Sequence, residues 1–127
     1  MLFRSVLCEP NIKFTATEKT AILSFVQNGG GLFYVADHTM SDRNSDGFDS
    51  ADIWNDLIGT SNPFGITNEI NNIGNDNSNK VASLPTNDPI LNGAAGNVTK
   101  LAFHAGSTFS INTTVNPKAK IDRKSVV

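Results

Sequence analysis

Hydrophobic and polar positions alternate with a different period in each part of this chain. Between Thr15 and Asn28, Ala21, Ile22, Phe25 and Val26 recur at helical spacing, while Lys19 and Gln27 fall on the other side. Thr15-Ala16-Thr17-Glu18 has the form of a capping box, with Thr15 as N-cap and Glu18 reaching back. Asn28-Gly29 supplies a helix stop, with glycine at the left-handed position. The spacing therefore predicts a helix over Thr15 to Asn28. Leu32-Phe33-Tyr34-Val35-Ala36 is an unbroken apolar run of strand length, which suits a parallel strand buried on both faces. On that pattern Ile22, Phe25, Phe33 and Val35 should be shielded from solvent. Val6-Leu7-Cys8 stands before a Glu9-Pro10-Asn11 turn and reads as the end of an earlier strand. The opening part is thus expected to be strand, helix, strand.

Beyond Ala36 the periodicity is lost. The stretch from Asp37 to Ser50 is polar and acidic. A short helix follows through Ile53, Trp54, Leu57 and Ile58, capped by Asp49 or Ser50 and ended by Gly59. Asn62-Pro63-Phe64-Gly65 is a turn, and Asn68 to Asn79, rich in asparagine, is expected as a solvent-exposed loop. Asn87-Asp88-Pro89 begins another turn, with Ile90 and Leu91 packing back. Asn97 to Phe103 and Ser107 to Ile111 are predicted as two strands joined through His104-Ala105-Gly106.

Composition narrows the classes. A length of 127 residues suits one domain, and eight Phe, one Tyr and one Trp are enough aromatics for a core. A net charge of −2 lacks the basic face of a nucleic-acid binder. No apolar run approaches the ~20 residues of a membrane span. The lone Cys8 excludes an internal disulfide and a cysteine-based zinc cluster, and is expected as a small buried hydrophobe at a strand end. The two ends change the picture further. Asp122-Arg123-Lys124-Ser125-Val126-Val127 is the translation of a common sequencing adapter, and Met1-Leu2-Phe3-Arg4-Ser5 matches the opposite adapter. Residues 1–5 and 122–127 are accordingly expected to be adapter-derived. On this reading the chain comes from environmental DNA, and residues 6–121 are a partial domain of a larger bacterial protein.

Phe14-Thr15, Glu18, Ala21-Ile22, Phe25-Val26 and Gly29-Gly30-Gly31-Leu32, followed by a strand ending in Asp37-His38, form an ordered set. It resembles the class I glutamine-amidotransferase-like superfamily, most closely the trehalose-utilisation (ThuA-like) branch. Trp54 to Gly59 is similar to that branch's Trp…Gly segment. Asp88-Pro89-Ile90-Leu91-Asn92-Gly93 is similar to its His-Pro-Ile-x-x-Gly turn, with Asp88 in place of histidine. The resemblance implies an α/β fold, a fragment of a flavodoxin-like parallel sheet flanked by helices, with His38 delivered to the site edge. It does not carry amidotransferase catalysis, because Cys8 lacks the glycines of the family's nucleophile elbow. Members without the triad often serve as binding or scaffold domains.

Asp42-Arg43-Asn44-Ser45-Asp46-Gly47-Phe48-Asp49-Ser50 is the most chemically specific stretch. Oxygen side chains at positions one, three and five with glycine at six are how a calcium loop wraps a hard cation. Asp42, Asn44 and Asp46, the Phe48 carbonyl and Asp49 are the candidate ligands. Ile53 stands where such a loop wants its closing carboxylate. The alternative is an Asp/Asn/Gly turn whose side chains bond their own backbone. Asp37 and His38 fall at a strand end, where α/β sheets bind ligands, and are candidate ligand contacts. His104, the other histidine, is expected either as a structural residue or converging with His38.

The expected function is a ligand- or cation-binding domain, Ca²⁺ being the candidate ion and a small molecule or carbohydrate the candidate ligand. Two alternatives stand beside it: a metal-assisted hydrolase with Asp37 and His38 as metal ligands, and a structural or adhesion module rigidified by calcium. Asparagine richness and the calcium-like loop lean towards an extracellular parent.

Overall fold

The computed structural model describes residues 4–74, 92–94, 96–97 and 105–119. The expected turn at Asn87-Asp88-Pro89, Ile90 and Leu91, the strand positions 98–103, His104, residues 75–79 and the adapter-like segments 1–3 and 122–127 lie outside the described residues.

The opening part folds as its periodicity predicts. β1 (Arg4–Cys8) and β2 (Gly31–Val35) run parallel, with Val6 opposite Phe33 and Cys8 opposite Val35, and α1 (Ala16–Gln27) connects them. Thr15 caps α1 through both halves of the box: its Oγ1 accepts from the Glu18 N–H at 3.3 Å, and Glu18 Oε2 accepts from the Thr15 N–H at 2.8 Å. The helix stops where Gly29 turns to φ +88°, a left-handed geometry that suits a residue without Cβ. A Cβ at the following Gly30 would meet the Phe25 ring at 2.5 Å, so a side chain there requires that ring to shift.

The core is built by α2 (Ser50–Ile58), which buries Ala51, Ile53, Trp54, Leu57 and Ile58. Trp54, 1% exposed, packs against Tyr34 at 4.5 Å and Phe14 at 5.7 Å between ring centroids. Its Nε1–H donates to the Val35 carbonyl at 3.0 Å, so one indole joins α2 to β2 and to the segment leading into α1. Lys19 and Asp56 tie the two helices by an ion pair of 2.7 Å.

The expectation that β2 is buried on both faces fails. Leu32 and Tyr34 are half-buried beside Val26, Leu57 and Ile58, so α1 and α2 share one face of the strand pair. Successive strand residues point to opposite faces. Val6 and Phe33 therefore turn outward, 62% and 63% exposed. Cys8 is exposed for the same reason, not buried as expected. Ile22, Phe25 and Val35 are half-buried. The apolar run is two-sided, but the described elements cover one side only.

β3 (Ile66–Asn68) pairs antiparallel with β6 (Phe109–Ile111), and β4 (Asn92–Gly93) with β5 (Gly96–Asn97). Of the strand expected from Ser107 to Ile111 only Phe109–Ile111 forms, and its partner is β3, which hydrophobic patterning did not predict. The asparagine-rich stretch also begins differently from the exposed loop expected of it. Asn68 is buried, 5% exposed, because the Asn55 side chain grips its backbone. Asn55 Nδ2 donates to the Asn68 carbonyl at 2.8 Å and Asn55 Oδ1 accepts from the Asn68 N–H at 2.9 Å. An amide carries both donor and acceptor, and so can satisfy the Asn68 backbone N–H and C=O in place of a neighbouring strand. Asn71 grips Thr108 in the same manner, accepting from its N–H at 3.0 Å and donating to its Oγ1 at 2.7 Å. In coarse terms the architecture is α/β: two helices and three two-stranded sheets among the described residues, of which β1–β2 is parallel.

Candidate functional site

Because β1 and β2 are parallel, the loops that follow them leave the sheet at the same end. Residues 9–13 follow β1, and residues 36–49 lead from β2 to α2. Arg43 bridges the two loops. Its Nη1 lies 2.9 Å from Glu9 Oε2, and its Nη2 lies 3.2 Å from Asp37 Oδ2. Asn44 Nδ2 donates to the Asn11 carbonyl at 2.6 Å, and Lys13 Nζ sits 3.4 Å above the centre of the Phe48 ring.

Asp37 is held firmly at the end of β2. Its N–H donates to Ser50 Oγ at 2.7 Å, its carbonyl accepts from Ser107 Oγ at 3.2 Å, and its Oδ1 accepts from the His38 N–H at 2.8 Å. The His38 ring is flanked on both sides. Nε2 stands 3.6 Å from Asp37 Oδ1, while Nδ1 lies against the Thr39 carbonyl and 3.1 Å from Asn72 Nδ2. The structure thus brings together the Asp37 and His38 singled out in the sequence. It adds Glu9, Lys13 and Arg43, which sequence reasoning missed. No local pattern marks those three, since α1 separates 9–13 from 43; only the parallel crossover makes them neighbours.

The acidic loop is organised around Asp42. Its Oδ1 accepts from the N–H groups of Asn44, Ser45 and Asp46 at 3.2, 2.8 and 3.3 Å, and its Oδ2 from Gly47 at 2.8 Å. These bonds, that of Gly47 foremost, hold its carboxyl below the ordinary aspartate value. Asp46 Oδ1 accepts from the Phe48 N–H at 3.0 Å and its Oδ2 from Asn44 Nδ2 at 2.9 Å. Asp49, buried at the N-cap of α2, receives the Met40 N–H on Oδ2 at 2.9 Å and the Ser41 N–H on Oδ1 at 2.7 Å. Its own N–H donates to Asp52 Oδ2 at 3.0 Å. Asp49 therefore pins the two feet of the loop together. The carboxylate, amide and carbonyl oxygens of Asp42, Asn44, Asp46, Phe48 and Asp49 have the hard-donor chemistry of a calcium site. Among the described residues, no group of three His, Cys, Asp or Glu side chains gathers in a way that could hold a metal.

A separate cavity of about 110 Å³ opens between α1, β2 and α2, lined by Val26, Leu32, Leu57, Ile58 and Phe64 beside Trp54 and Tyr34. Its walls are almost wholly hydrocarbon. Burial pushes the Tyr34 phenol up, partly offset by a hydrogen bond with the Asn68 side chain, and among the described residues no other ionisable group lines it. The polar groups that could orient a ligand are at the strand ends instead.

Comparison of the chain with protein-family models, with curated proteins and with solved structures finds no match.

Proposed function

We propose that this chain is part of an amidotransferase-like, flavodoxin-like α/β domain of a larger bacterial protein, one that binds a small molecule or carbohydrate without amidotransferase catalysis. Asp37 and His38 are the proposed ligand contacts. One observation carries the reading: a carboxylate, an imidazole and a guanidinium meet at the C-terminal ends of two parallel strands, the place where open α/β sheets bind ligands. Together they offer acceptors and donors suited to hydroxyl-bearing compounds. The neighbouring Asp42–Asp49 loop is the proposed cation site. Its support is the hard-donor chemistry of Asp42, Asn44 and Asp46 at alternate positions of one turn, where their side-chain oxygens accept N–H groups of the turn itself. Calcium, when bound, would add rigidity there rather than chemistry.

A chemical-shift titration of the full chain tests both sites. Sugars and polyols should perturb Asp37, His38 and Arg43, and His38→Ala should abolish the effect. Calcium should perturb Asp42 to Asp49, and Asp46→Ala should abolish that. Ligand shifts confined to the apolar cavity would overturn the assignment of Asp37 and His38. An unresponsive loop at millimolar calcium would leave Asp42 to Ser50 an ordinary turn.

A further inference from the structure

Residues 41–49 form a loop that is tightly knit within itself and loosely joined to what it covers. Within the loop, one carboxylate gathers four N–H groups, and Asp46 and Asn44 add three further bonds. At its neck, the buried Asp49 carboxylate holds the Met40 and Ser41 N–H groups. Its polar and cation–π contacts with the 9–13 loop are Arg43–Glu9, Asn44–Asn11 and Lys13–Phe48, and in all three the residue on the 41–49 side is exposed, while Glu9 and Asn11 are half-buried. Exposed ion pairs contribute little and are screened by salt, and a cation–π contact open to water is similarly weak. A rigid body joined through a firm neck and a weak outer seam moves about the neck.

We propose that residues 41–49 are a hinged strap, latched over Asp37 by the Arg43–Glu9 pair and the Lys13–Phe48 contact, which lifts as one piece to uncover the Asp37 carboxylate. When the strap lifts, the Arg43 guanidinium leaves both Glu9 and Asp37. The Asp37 carboxylate then loses its cationic cover and is free to accept from another donor. The latch is electrostatic, so its strength falls as ionic strength rises. The role of the strap in ligand access rests on the function proposed above, whereas the motion itself does not.

The experiment is proton and carbon NMR of the full chain without ligand. Lys13 Nζ lies 3.4 Å over the centre of the Phe48 ring, so the protons on the adjoining Cε should be shifted upfield by its ring current while the latch is closed. Raising salt from about 20 mM to about 500 mM, which shortens the screening length several-fold, should move these signals towards unshielded positions. Glu9→Gln should do the same at low salt. In both cases the Ser45 and Gly47 amide signals should stay where they are, because Asp42 still holds them. Lys13 signals that ignore both salt and Glu9→Gln would overturn the latch. Lys13 signals that move together with collapse of the Ser45 and Gly47 amides to unfolded positions would overturn the hinge, since the loop would then melt rather than lift. Neither outcome bears on whether Asp37 and His38 contact a ligand.

Discussion

Asp42 and Asp49 stand seven positions apart in one acidic run, yet the fold uses them differently. Asp49 is buried and closes the neck of the loop, whereas Asp42 lies nearer solvent and organises the interior of the turn. The Asp42 carboxyl sits below its ordinary value of 3.8, pulled down by the Gly47 N–H first, opposed next by desolvation, and pulled down further by the N–H groups of Ser45, Asp46 and Asn44. Glu18 is lowered too, by the Thr15 N–H first and the Thr15 hydroxyl second. A folded-state pKa depressed below the unfolded one stabilises the folded, ionised form. That contribution is present above the ordinary carboxylate value and is lost as pH falls through the depressed value. Unfolding by urea should therefore show stability declining as pH drops from about 5 towards 2. In Asp42→Ala the decline should be shallower, because one of the linked protons is gone. An unchanged acid limb in that variant would show that the four N–H bonds are not stabilising.

At the scale of elements, α2 is the keystone, and Trp54 is its principal contact. It fills the space against Tyr34 and Phe14 and donates to the Val35 carbonyl. Truncating a buried tryptophan to alanine costs about 3–5 kcal/mol, a large share of the 5–15 kcal/mol that typically holds a domain together. Trp54→Ala should accordingly shift the urea midpoint far down or prevent folding. Trp54→Phe keeps most of the apolar area and loses the N–H donor. The Val35 carbonyl retains the Glu9 N–H at 3.0 Å, so no acceptor is orphaned. The phenylalanine variant should lose about 1–2 kcal/mol, with an unchanged slope of stability against urea. Equal losses in the two variants would place the value of Trp54 in its hydrogen bond rather than its area.

At the scale of the whole molecule, one face of β1–β2 is left bare by the described residues. Val6 and Phe33 lie opposite each other on it with their side chains largely in solvent. Parallel sheets are ordinarily covered on both faces. Exposed apolar side chains contribute little to stability and favour association. Val6→Thr combined with Phe33→Thr should reduce binding of a hydrophobic dye and light scattering, while stability changes by no more than about 0.5 kcal/mol. A large fall in melting temperature would show that this face is covered in solution.

Much of the local structure was legible in the chain itself. The Thr15 box, the Asn28-Gly29 stop and the apolar positions of α2 act through neighbours three or four residues away, so the α1 and α2 boundaries could be read from spacing. The unbroken apolar run from Leu32 to Ala36 marked β2 to within one residue at each end. Asp37 and His38 followed from their place at the end of that strand. What the sequence could not reveal depends on contacts across long separations. Which face of β2 meets helices is set by where α1 and α2 pack, and an apolar run on both faces carries no sign of it. β3 is three residues long, paired with a strand over 40 positions away and gripped by an asparagine from a helix, none of which leaves a periodic signal. The meeting of Glu9, Arg43 and Asp37 likewise required the parallel crossover, which returns the chain to the same sheet edge and lets charges from two loops face one another. Short-range hydrogen bonding and periodicity therefore determined α1, α2 and β2, whereas tertiary packing decided the β3–β6 pairing and which polar groups lie together at the strand ends.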